Sequence, residues 1–104
     1  MSTAGIESRK EGANVAIAMM VDNPEGSQEI YEKAREHLGL DRPGGGILHL
    51  AGPRPDGGWR VIEVFESEEE AKRFLKERLG PAFQAIGASP PPAPQFWPVH
   101  RYMT

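Results

Sequence analysis

Residues 46–65 read GILHLAGPRPDGGWRVIEVF: two apolar runs around a Pro- and Gly-rich turn, the pattern of a β-hairpin. Inside these runs stand His49 and Glu63, an imidazole and a carboxylate in strands otherwise suited to a core. Side chains alternate along a strand. Leu48 and Leu50 therefore share one side of the first strand, and Ile47, His49 and Ala51 the other. On the second strand Arg60, Ile62 and Val64 oppose Trp59, Val61, Glu63 and Phe65.

Outward from the hairpin, the apolar stretch NVAIAMMV, from Asn14 to Val21, has the length and β-branched content of a central strand. DNPEGS then supplies a turn and an N-cap, Ser27 or Asn23. Ile30, Tyr31, Ala34 and Leu38 follow at helical spacing, and Gly39 stands where a helix C-terminus places glycine. After the hairpin, Ser67 and Glu70 form the signature of a capping box. Ala71, Phe74, Leu75 and Leu79 share one helical face, with Gly80 and Pro81 as the expected stop. PAFQAIG allows one more short helical turn, ASPPPAP must be extended, and QFWPVHRYM reads as a closing strand. Pro98 inside that strand implies an edge position or a bulge. The order is β-α-β-β-α-β, a ferredoxin-like α+β fold: an antiparallel sheet with two helices on one face.

With 104 residues, one core is expected. Residues 1–12, MSTAGIESRKEG, read as a floppy tail, and residues 13–104 as the single domain. The tail lacks the apolar segment of a signal peptide, and no run approaches the roughly 20 residues of a membrane span. The chain contains no cysteine, which excludes disulfides and thiolate chemistry and makes a cytoplasmic location the expectation. The net charge of −3, with basic residues scattered among acids, argues against nucleic acid as a partner.

A sheet with helices on one face needs a uniformly apolar centre there, which points to Leu48, Leu50, Ile62 and Val64. His49 and Glu63 then fall on the helix-free face with Trp59, Val61 and Phe65, a face too apolar to meet water. The expected cover is a second copy of the chain, packed through Trp59 or Phe65, with the two polar residues lining a space between the sheets.

This layout resembles the dimeric α+β barrel superfamily, which includes antibiotic-biosynthesis monooxygenases and stress-responsive A/B barrel proteins. The likeness rests on VAIAMMV, on GGWRVIEVFESEEEAKRFLKERLGP with its F-E-S-x-E-x-A-x-x-F core, and on FWPVHRYM. It implies a homodimer binding a small hydrophobic or aromatic molecule between its sheets, with cofactor-independent monooxygenase or isomerase chemistry. Haem-degrading members resemble a pattern that Asn14 could match, but the second helix, Ala71 to Leu79, holds no axial histidine. The polyketide oxygenases of the group use residue types present here as Asn14, Trp59, Trp97, Arg101 and Tyr102.

His49 is the candidate general base, with Glu63 fixing its tautomer. The bland alternative is a buried histidine satisfied by its carboxylate. Trp59, Val61, Phe65, Asn14, Trp97, His100 and Tyr102 are the candidate ligand contacts, and the aromatic ones serve equally well as interface core. His37 fits a partner for the end of the helix dipole. The histidines fall in no metal-ligand motif, and Gly44 to Gly46 lack the lysine and helix of a phosphate loop, so neither metal nor cofactor is expected. The rival function is a non-catalytic structural or oligomerisation module with a sealed interior. An RNA-recognition domain shares the strand order but is opposed by Glu63 and the acidic total. Acylphosphatase-like chemistry would need a loop that DNPEGS replaces.

Overall fold

The structure is a computed structural model that describes residues 15–39 and 45–103. The expected tail and Asn14 lie outside the described residues. The chain forms β1 (Ile17–Asn23), α1 (Gln28–Leu38), β2 (Gly46–Pro53), β3 (Trp59–Phe65) and α2 (Glu68–Phe74). A π-helical turn (Leu75–Leu79), α3 (Gly80–Ala85) and β4 (Gln95–Pro98) complete it. The four strands make one antiparallel sheet in the order β2-β3-β1-β4, an α+β arrangement compatible with a ferredoxin-like fold. Pro98 sits on the edge strand β4, where its missing N–H costs no ladder bond.

Local chemistry sets the element ends. Ser27, rather than Asn23, caps α1: its Oγ accepts the Ile30 N–H at 3.1 Å, while Asn23 Oδ1 accepts the Glu25 N–H in the preceding turn. Ser67 Oγ takes the Glu70 N–H at 3.2 Å at the start of α2. The Glu70 carboxylate, expected to complete a capping box, instead pairs with Arg73. Gly39, at φ 87°, ends α1 as its sequence position implies.

The expected stop at Gly80–Pro81 is overturned. Gly80 is helical, its N–H reaching back to the Leu75 carbonyl, and helix continues to Ala85. That wide π turn relaxes the ladder just ahead of the proline ring, which then occupies the first turn of α3, where a missing N–H is tolerated. The left-handed residue that ends the run is Gly87, at φ 72°.

The face assignment is also corrected. The helices cover the side of the sheet bearing Met19, Val21, Val61, Glu63 and Phe65, and the Phe65 ring meets Phe74 of α2 at 5.6 Å. Met19, Val21, Phe65 and Ala71 form the buried core. Leu48, Leu50, Ile62 and Val64 lie on the other side, with Ala18, Met20 and Trp97. Alternation separates the two sets without saying which one meets the helices. Both sets are largely apolar, and the polar pair that argued against helix cover is neutralised by a residue from α1.

Asp22 and Arg60 extend this open side. Arg60 donates to both Asp22 oxygens, at 2.6 and 2.8 Å, tying β1 to β3. That hydrogen bonding holds the Asp22 carboxyl below the usual carboxylate range, with the charges of Arg60 and Arg54 acting in the same direction.

Candidate functional site

His49 and Glu63 are directly opposite one another on β2 and β3. This pairing brings His49 Nδ1 to 2.7 Å from Glu63 Oε1. From above, α1 lowers Tyr31, whose hydroxyl lies 2.6 Å from His49 Nε2. The Tyr31 ring also stacks on the imidazole at 5.9 Å and tilts against Trp59 at 5.5 Å. A relay of Tyr31, His49 and Glu63 therefore runs from the helix layer into the sheet.

Proton positions follow from this geometry. Burial pushes the Tyr31 hydroxyl above the ordinary tyrosine range; the Arg35 charge opposes the shift, and Glu32 and Glu63 add to it. Tyr31 keeps its proton at neutral pH. In the tautomer with the imidazole hydrogen on Nδ1, Nε2 accepts from Tyr31 and Nδ1 donates to Glu63. Both ring nitrogens of His49 are thus engaged, and Glu63 is the member of the relay with an oxygen left over.

Glu63 is 2% exposed, and its second oxygen, Oε2, is buried with no hydrogen-bond partner among the described residues. Leaving such an atom dry typically costs about 1–3 kcal/mol, more for a charged group, so it marks a place where a partner belongs. Trp59 Nε1 is also buried without a partner among the described residues. The two residues stand four apart on β3, roughly 13 Å between Cα atoms at strand rise, on the same face of the sheet.

Between sheet and helices lies a cavity of about 70 Å³, lined at its apolar walls by Met19, Val21, Ile30, Val61, Phe74 and Leu79. Tyr31, Arg35, His49, Trp59 and Glu63 also face it. A second, more open groove of about 440 Å³ runs beside the proline-rich segment, past Pro90 and Pro92. Asn23, Ile30 and Phe83 line both spaces, so the groove and the inner cavity adjoin. Gly58 of the β2–β3 turn packs against Asn23. A Cβ there would meet the Asn23 carbonyl at 2.3 Å, so the hairpin turn touches the β1–α1 loop backbone to backbone.

No protein-family model matches the chain, and no curated protein matches it in sequence. The site therefore stands on its own geometry.

Of the residues singled out from sequence, His49, Glu63, Trp59 and Val61 line the cavity. Phe65 does not: it is fully buried in the core beneath Phe74. Trp97, paired with Ala18, faces the helix-free side at 41% exposure. His100, Arg101 and Tyr102 lie beyond β4, away from the cavity. His37 stands in the last turn of α1, as a dipole partner would. Tyr31 is the member of this cluster that the sequence reading misses. A signal for it exists: a tyrosine on the apolar stripe of an amphipathic helix must find a partner for its hydroxyl, and His49 is the polar residue on a facing strand.

Among the described residues, no helix is long and apolar enough to cross a membrane, and no three His, Cys, Asp or Glu side chains cluster as a metal site.

Proposed function

We propose that this chain binds a compact, mainly apolar molecule in the cavity between the sheet and its helices and moves a proton on it without a cofactor. The observation behind this reading is the free Oε2 of a buried carboxylate whose other oxygen is held by His49. A carboxylate so placed takes a proton from a carbon beside a carbonyl, and the released electron pair moves onto the carbonyl oxygen as an enolate. Returning that proton to the enolate oxygen completes a keto–enol isomerisation, whose product carries a hydroxyl that faces Oε2. Molecular oxygen adding to the same enolate would begin a cofactor-independent oxygenation.

The test is deuterium exchange beside the carbonyl of small cyclic ketones and enones in D2O. The parent protein should accelerate exchange. Glu63→Gln should return it to background, and Leu50→Ala on the opposite face should leave it unchanged. A folded parent that accelerates none of the panel contradicts the catalytic reading and leaves the non-catalytic module as its replacement.

The proposal includes the kinship with dimeric α+β barrel proteins and the pairing of two copies, through the helix-free face rather than through Trp59 and Phe65. It is supported by Leu50 and Trp97, 53% and 41% exposed beside Met20 and Ile62 on that face. Contiguous apolar surface of this kind calls for cover.

A further inference from the structure

We infer that the inner cavity takes a neutral single-ring molecule carrying a hydroxyl, a phenol-type ligand whose O–H donates to Glu63 Oε2. The inference rests on the cavity being the ligand site and adds the chemical class. Tyr31 and His49 spend their hydrogen-bonding groups on each other and on Glu63 Oε1. The polar group left open at this end is thus an acceptor, Oε2, and it asks the ligand for a donor. An anionic ligand would meet the carboxylate charge. A cationic one would meet Arg35, which faces the same cavity. A neutral hydroxyl satisfies the oxygen without either conflict.

The body of the ligand follows from the walls. Met19, Val61, Phe74 and the Tyr31 ring offer apolar and aromatic surface, against which a planar ring packs. The cavity of about 70 Å³ is smaller than a cavity of about 150 Å³ known to hold benzene, so fused ring systems are too large. Even one ring must displace part of the wall. The π-helical turn Leu75–Leu79 borders that wall, with Phe74 before it and Leu79 at its end both lining the cavity, and such turns recur at functional sites.

The test is calorimetric titration of the full chain with phenol, toluene and benzaldehyde, three rings of similar size of which only phenol has a donor. Methyl NMR of Met19 locates the binding. Phenol should bind at least tenfold tighter than toluene, because a hydrogen bond to a charged acceptor is worth a factor of this size. Benzaldehyde, an acceptor only, should bind no better than toluene. In Glu63→Gln the amide oxygen keeps His49 and the NH2 faces the cavity. The phenol preference should then vanish while toluene affinity stays, which also shows that the variant is folded. Should that variant fail to fold, the parent decides alone: phenol should shift the His49 imidazole nitrogens and toluene should not. Equal affinities of phenol and toluene, both perturbing Met19, would overturn the hydroxyl inference and leave the cavity as ligand site. Failure of all three compounds to bind would overturn the cavity as well.

Discussion

Replacing His49 with alanine tests the relay most severely. Among the described residues Glu63 already has one oxygen without a partner, and the substitution removes the donor from the other, leaving a carboxylate at 2% exposure with no hydrogen bond from any of them. Breaking one side of a buried pair typically costs about 3–5 kcal/mol. The His49 side chain is 27% exposed, so water can follow the truncation into the gap, which places the expected loss near the lower end, about 3 kcal/mol. Tyr31 loses its acceptor as well, but its hydroxyl can turn toward the same water. For a domain of this size, a loss of about 3 kcal/mol lowers Tm by roughly 12–24 °C. The assay is urea denaturation at pH 7 with a parallel thermal melt. The double variant His49→Leu/Glu63→Leu should recover most of the loss, because removing both partners of a buried pair is often near neutral. A His49→Ala protein within about 0.5 kcal/mol of the parent, or a double variant worse than the single, would refute the buried relay.

Gly58→Ala should destabilise by about 2–4 kcal/mol: φ is +89°, and the new Cβ would strike the Asn23 and Pro24 backbone. Chemical denaturation measures it, and a neutral result would show that the turn does not close on the β1–α1 loop. Asp22→Asn should lower stability only where Asp22 is charged. Its folded pKa lies below the unfolded value of 3.8, so its contribution is present above that pH and disappears as pH falls through the folded value. Parent and variant melts should converge in acid and separate at neutrality; a gap independent of pH contradicts the ion pair. Tyr31 should ionise later than an ordinary tyrosine, since burial favours its neutral form. Ultraviolet titration should show a late phase that Tyr31→Phe removes. Sedimentation should find a dimer that Leu50→Asp or Trp97→Asp dissociates, whereas a parent that stays monomeric at high concentration contradicts pairing through the open face.

Much of the fold is legible in the sequence because its signals are local. Ser27, Ser67 and Gly39 cap helices through contacts within a few residues, and the alternation in β2 and β3 groups His49 with Glu63, Trp59 and Val61. Which group meets the helices is not a local matter. Glu63 looks incompatible with a helix-covered face because its compensation begins with Tyr31, distant in sequence but one hydrogen bond beyond His49 in space. The Gly80–Pro81 stop fails because a π turn ahead of the break lets the proline sit in the first turn of α3, where its missing N–H is tolerated. The aromatic residues near the C-terminus share the site's residue types but not its place. Register alone separates Phe96, packed on the core, from Trp97, on the opposite side.

The central claim is that an accessible cavity beside Glu63 lies between the sheet and its helices. A crystal structure under xenon pressure tests it whatever the natural ligand, because xenon enters apolar cavities. The account predicts a xenon site among Met19, Val61, Phe74 and Leu79, with an ordered water or other donor within hydrogen-bonding distance of Glu63 Oε2. Side chains filling that space, with xenon found only on the face of Leu50 and Trp97, would contradict it.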